Sequence, residues 1–245
     1  MSTRTYAKFK RDYGVSYLLG INADSKTVKG LKTGTLTGIV YLAPSDSSGY
    51  QTCPMASAGC RAACLFTAGR ASFDPKINAA RITRTKLFFE QRAVFMAQLL
   101  CEIENLIRDA AKRGMRPAVR LNGTSDLKWE KIACCSDHKS VMQHFPEVTF
   151  YDYTKIPVRY RQNLPANYHL TFSLSETNDS DAREALDAGF NVAAVFRKLP
   201  EQFMGRDVAN GDASDVRFND QRGVIVGLTA KGKAKRDNSG FVRVA

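Results

Sequence analysis

The chain has little that would carry it into or across a membrane. No apolar run approaches the ~20 residues that a spanning helix needs. The first thirty residues lack the long apolar centre and small-residue cleavage site of a secretory leader. These absences lead us to expect a cytosolic protein with no membrane partner. There is also no low-complexity tract, no long Pro/Gly/Ser linker and no internal repeat. The 245 residues are therefore expected to form a single α/β domain, with 1–36 as an N-terminal extension and 231–245 as a basic C-terminal segment. Histidine is scarce, at three, and no His-x-His pair occurs. That disfavours a nicking replication initiator, which needs paired metal-binding histidines near a tyrosine. Ser173 and Ser175 lie outside any G-x-S-x-G elbow, which disfavours a serine hydrolase.

Positive charge, by contrast, is in surplus: 36 Lys+Arg against 24 Asp+Glu give a net charge of +12. A field of that size attracts phosphate-bearing partners, nucleotide or nucleic acid. It is equally consistent with a solvated surface, because no single basic run dominates. The densest stretch is late, at Lys231, Lys233, Lys235 and Arg236.

Apolar runs alternate with helix-compatible segments. Strands are predicted at 37–43, 117–121, 148–153, 168–174, 191–196 and 223–229, each a short and nearly continuous apolar run. One long amphipathic helix is predicted from about 76 to 112, ended by Gly114. Shorter helices are expected near 126–135 and over 180–188, the latter stopped by Gly189. The polar stretch 199–222 is expected to hold a loop or a short helix. The pattern is that of a parallel sheet covered by helices, and we expect a partial parallel (β/α)6-type barrel with a cysteine loop after its first strand.

In such folds, ligand-binding groups gather at the carboxyl ends of the strands. Polar chemistry is dense at those ends here. Arg120, Asn122 and Asp126 follow the second strand, and Asp152 and Lys155 follow the third. Ser175 and Glu176 follow the fourth, Arg197 the fifth and Lys231 the sixth. Arg120, Lys155, Arg197 and Lys231 are candidate anion contacts. Asn122, Asp126, Asp152, Ser175 and Glu176, with Lys155, are candidates to orient substrate or move protons. Each has a structural alternative: Asp126 can cap a helix, and Asp152 and Lys155 can pair with neighbouring groups.

Six cysteines in a chain without a secretion signal point to ligation or burial rather than disulfides. Cys53, Cys60 and Cys64 form C-x6-C-x3-C in CPMASAGCRAACLFTAGR. If the second half is helical, Cys60 and Cys64 share a face, about 5–6 Å apart at Cβ, and the preceding loop can return Cys53 toward them. Such a thiolate tripod suits an iron–sulfur cluster, expected as 4Fe-4S with one open or differently ligated iron, or alternatively zinc. The spacing is neither that of a zinc finger nor that of the bacterial ferredoxin run. Cys134 or Cys135 is a candidate fourth ligand, with His138 behind them, although a helix-core role for the Cys134–Cys135 pair is weighed equally. Cys101 is assigned to the core, and His144 and His169 to structural roles.

Taken together, CPMASAGCRAACLFTAGR, VRLNGTSDLKWE, FPEVTFYDYTK, NYHLTFSLSE and IVGLTAKGKAKRDNSGFV resemble the phage "gene product eighty-eight" family, from about Gly30 onward. The resemblance implies a protein of the phage-infected bacterial host's cytosol but brings no reaction with it. More loosely, the arrangement is similar to radical S-adenosylmethionine enzymes, which place three cluster cysteines after the first strand of a partial barrel. Their usual spacing is C-x3-C-x2-C, from which this chain departs, so only the barrel and the cluster position carry over. Two functions follow as expectations: an iron–sulfur protein that binds or acts on a nucleotide or nucleic acid, or a non-catalytic nucleic-acid-binding protein with a structural zinc or cluster.

Overall fold

The structure, a computed structural model, describes residues 3–21, 28, 30–64, 69–137 and 139–244. In chain order the named elements are α1 (Thr3–Tyr13), β1 (Leu19–Ile21), β2 (Thr35–Val40), α2 (Ala58–Ala62), α3 (Pro75–Glu90), α4 (Arg92–Lys112) and β3 (Arg116–Arg120). They continue with α5 (Val141–His144), β4 (Thr149–Thr154), β5 (Tyr168–Ser173), α6 (Asp179–Asp187), β6 (Asn191–Phe196), β7 (Gln202–Phe203), β8 (Arg206–Asn210), β9 (Ile225–Thr229) and β10 (Val242–Arg243). No helix of the described residues is long and apolar enough to cross a membrane.

One mixed ten-stranded sheet carries the fold, in the order β1-β2-β3-β4-β5-β6-β9-β8-β7, with β10 added against β6. From β2 to β9 the six major strands are parallel and run in sequence order. The ends of the sheet, antiparallel β1 and the β7–β8 hairpin, do not pair with each other, so the sheet stays open. A closed barrel is absent among the described residues.

Side chains alternate across each strand, and the alternation divides the sheet cleanly. One face carries Val119, Leu121, Phe150, Phe172, Val192, Ala194 and Phe196. This face packs against Phe95, Leu99, Ile103 and Leu106 of α4 and against Ala182, Ala185 and Leu186 of α6. The opposite face carries Arg120, Tyr151, Tyr153, Ser173, Ala193, Val195 and Leu228, and among the described residues no long helix packs against it. Part of it is filled from the β8–β9 connection. There Phe218 packs edge-on to Tyr151 at 5.5 Å, and Asp215 receives Arg120 at 3.3 Å.

The predicted long helix is two helices. Gln91 leaves helical geometry at φ −136°, ψ 56°. The break lets α3 turn Arg84 onto the carbonyl of Tyr17 at 3.0 Å while α4 stays over the sheet. The helix expected near 126–135 is only a single turn of 3-10 helix at Trp129–Lys131. The reason is local: Asn122 Oδ1 gathers the amide of Leu127, the indole of Trp129 and the hydroxyl of Ser125, and the Cys134 amide, which the helix would need, donates instead to the carbonyl of Lys139 beside the Ala133–Ser140 bridge. The stretch 199–222 contains the β7–β8 hairpin rather than loop alone, and the N-terminal extension contributes α1 and β1.

Candidate functional site

A cavity of about 220 Å³ opens where β3, β4, β5, β6 and β9 end, on the face without long helices. Cys53, Cys60 and Cys64 all line it, as do Asp126, Lys155 and Lys231. The last of these belongs to the C-terminal segment, which also contributes Ala234 and Phe241. That segment returns as β10 beside β6, Val242 opposite Val195, and so closes one side of the opening.

The cysteine segment is held at both ends. Thr52 donates its hydroxyl to the carbonyl of Ala43 at 2.6 Å and accepts the amide of Asp126 at 2.8 Å. Ser57 caps α2 by accepting from the amide of Cys60 at 3.2 Å. Glu176, reaching across from the end of β5, then receives the hydroxyl of Ser57 and the amide of Gly59, each at 2.7 Å. A Cβ on Gly59 would stand 2.3 Å from Ser239 Oγ and 2.8 Å from the Glu176 carboxylate, so a larger residue would require these side chains to shift. Burial raises the Glu176 carboxyl, but the bonds from Ser57 and Gly59 outweigh it and hold the group below the usual glutamate range.

The expected shared helical face for Cys60 and Cys64 is not formed, because α2 ends at Ala62. The three cysteines converge by loop geometry instead. Their sulfurs do not all lie within 4.8 Å of one another. A single tetrahedral zinc, with Zn–S of about 2.3 Å, would bring them to roughly 3.8 Å. Burial pushes the Cys53 thiol up, and its sulfur sits 3.7 Å from the carbonyl of Thr124.

Charge around the cavity is arranged in pairs. Lys155 Nζ donates to Ser173 Oγ at 2.7 Å and stands over Phe241, while the Lys155 amide donates to Asp126 Oδ2 at 2.7 Å. The other oxygen of Asp126 is buried without a hydrogen-bond partner, 3.9 Å from Arg161, and burial raises this carboxyl. Arg120 lies over Tyr153; burial opposes its charge, but Asp215 prevails and holds the guanidinium protonated. Lys231 pairs with Asp212; burial works against that carboxylate, yet the bonds from Lys231 and Thr229 bring it down to about 2.

The other sequence candidates are placed differently. Asn122 touches the cavity, but its side chain is spent on Ser125, Leu127, Trp129 and Asp152. Asp152 points to the helix-covered face. It accepts from the amide of Asn122 at 2.7 Å and the hydroxyl of Tyr168 at 2.9 Å, and burial lifts it to about 7 against the pull of Arg120. Ser175 is buried, its amide bound to Asn178 and its carbonyl to Arg243. Arg197 is exposed and donates to the carbonyl of Asp237 at 2.8 Å, away from the cavity. Of these four, Asn122 alone lines the cavity.

Cys134 does not join the cavity cysteines. It lies with Cys135 and His144, the three ligand atoms within 4.8 Å of one another. His138 lies outside the described residues. Asp212, Asp215, Arg161 and Phe241 complete the surroundings of the cavity. Phe241 lies in the C-terminal run that carries the family resemblance, whereas Asp212, Asp215 and Arg161 sit in polar stretches without period.

Fold and site together define an open, sequentially wound α/β protein with a cysteine-walled pocket at the carboxyl edge of its sheet. The chain belongs to the Gene product 88 family, the phage family its motifs resemble, which matches residues 17–245. No curated protein and no solved structure matches it. The looser likeness to radical S-adenosylmethionine enzymes finds no support in these comparisons.

Proposed function

We propose that this is a phage iron–sulfur protein whose cluster is held by Cys53, Cys60 and Cys64, and that it binds or acts on a nucleotide or nucleic-acid phosphate beside that cluster. The observation that carries the reading is the meeting of three cysteines with Lys155 and Lys231 in one cavity at the ends of successive parallel strands. Three thiolates spaced too widely for one ion suit a polynuclear centre, which distributes its ligands over several irons. We read the six parallel strands, five of which share the cavity at their ends, as a partial (β/α)6-type barrel.

With a cluster bound, the protein's own residues would divide the remaining work. Lys155 and Lys231 would meet the anion. Asp126, whose buried Oδ1 accepts no hydrogen bond and faces Arg161 at 3.9 Å, would hold or release a proton there. A cavity of this size suits part of one nucleotide better than a duplex backbone.

The test is anaerobic purification with iron, sulfide and zinc analysis of the same sample, followed by nucleotide titration of wild type and Lys155→Glu. Iron and sulfide in equal amounts, lost in Cys60→Ser, with at least tenfold weaker nucleotide binding in Lys155→Glu, are the expected results. A colourless protein with zinc alone at Cys53, Cys60 and Cys64 would replace this reading with a nucleic-acid-binding module stapled by a structural ion. Retention of metal in single Ser variants of all three cysteines would remove the tripod altogether.

A further inference from the structure

The segment between β3 and β4 carries a second group of soft donors. Cys134 Sγ and Cys135 Sγ are 3.2 Å apart, and Cys135 Sγ is 3.7 Å from a ring nitrogen of His144. A tetrahedral zinc with Zn–S of about 2.3 Å and Zn–N of about 2.0–2.1 Å sets its donors roughly 3.5–3.8 Å apart. The observed separations are within reach of that by small side-chain rotations.

Eight residues separate Cys135 from His144, and the fold spends several interactions on closing that gap. Ala133 and Ser140 form an antiparallel bridge, and the Cys134 amide donates to the carbonyl of Lys139 at 2.9 Å. Ser140 starts α5 with a reciprocal capping box to Gln143, which fixes where His144 emerges one turn later. The imidazole lies edge-on to Phe145 at 4.8 Å. Cys134 is buried against the main core, while Cys135 and His144 reach the surface, so an ion can enter without unfolding. Asp137 Oδ1 sits 2.9 Å from Cys135 Sγ and adds a carboxylate at the rim.

We propose that Cys134, Cys135 and His144 bind one zinc ion, with Asp137 or water in the fourth position, at a site separate from the cavity. None of the three lines the cavity, so the site stands whatever the cavity holds. Soft thiolates with an imidazole select zinc over calcium or magnesium. Bound there, the ion cross-links the loop after β3 to the helix leading into β4, a structural role.

The experiment uses the full chain carrying Cys53→Ser, Cys60→Ser and Cys64→Ser, stripped by chelator under reducing conditions. It is titrated with zinc against a colorimetric chelator and, separately, with cobalt(II). One zinc per chain is expected, with tetrahedral cobalt absorption and a thiolate-to-cobalt charge-transfer band. His144→Ala should weaken zinc at least tenfold, and Cys135→Ser should diminish the charge-transfer band. No stoichiometric zinc in the triple variant, or equal affinity in both added variants, overturns the proposal. If the triple variant does not fold, the otherwise wild-type chain decides: Cys135→Ser/His144→Ala should hold one zinc per chain fewer, and an unchanged count refutes the site.

Discussion

Glu176→Ala offers the sharpest probe of how the cysteine segment is kept in place. The substitution removes two bonds to a carboxylate, from Ser57 Oγ and Gly59 N, both at 2.7 Å. Bonds to a charged acceptor contribute about 1.5–3 kcal/mol each when well buried. Glu176 is only half-buried, and solvent screening lowers each to about 1 kcal/mol. The loss of ~2 kcal/mol corresponds to roughly 30-fold more frequent opening of α2. Global stability should fall less, because the opening is local. In the protein stripped of metal, two readouts follow the opening: alkylation of Cys60 by iodoacetamide, followed by mass spectrometry, and hydrogen exchange at the Gly59 and Cys60 amides. Both should accelerate by one to two orders of magnitude. The Glu176 carboxyl is held below its ordinary value in the fold, so its contribution is complete above that ordinary value and disappears as pH falls through the depressed one. The exchange difference between wild type and variant should therefore close in the acid range. Alkylation and exchange both within twofold of wild type at neutral pH would refute the anchoring role.

Arg161→Met tests the polar core beneath the cavity. Arg161 and Glu130 form an ion pair at 2.8 Å with both side chains essentially solvent-free, so the substitution should cost about 3–5 kcal/mol by leaving a buried carboxylate unpaired. Adding Glu130→Met should recover most of that in chemical denaturation, and a double variant no more stable than Arg161→Met alone would contradict the pairing. Gly123→Ala should lose about 1–3 kcal/mol, because its Cβ would stand 2.7 Å from the carbonyl of Val40 and 2.6 Å from the Tyr41 ring. A denaturation midpoint equal to wild type would show that the two segments can part without cost.

The parallel strands were legible because most of their side chains are buried, and burial writes near-continuous apolar runs into β4, β5 and β6. The β7–β8 hairpin was not. Its two-residue turn is Met204–Gly205, both at positive φ, 52° and 75°, where the sequence would announce such a turn with Asn-Gly or Asp-Gly. Methionine in that position carries no turn signal, and RDVAN reads as loop. The cysteines of the cavity were found by their spacing within a single segment. Cys134, Cys135 and His144 were not read as one group, because what unites them is a bridge and a capping box rather than a repeat. Glu176 was visible as a polar residue at a strand end. Its partners, Ser57 and Gly59, are more than a hundred positions away, and only the fold reveals that it supports the site rather than faces a ligand.

The division of the sheet into two faces has a consequence for how sequences of this kind can diverge. Within β4, Phe150 and Asp152 serve the packed layer while Tyr151 and Tyr153 serve the open one, and Val192 and Ala193 in β6 divide in the same way. Parity along a strand thus works as an address, with folding and chemistry written on interleaved positions of the same few residues. Substitutions can accumulate on one parity while the other is held constant. A single inserted or deleted residue inside a strand exchanges the two sets at once. Length changes should therefore be confined to the loops, whereas cavity side chains can be exchanged one position at a time without disturbing the layer that keeps the protein folded.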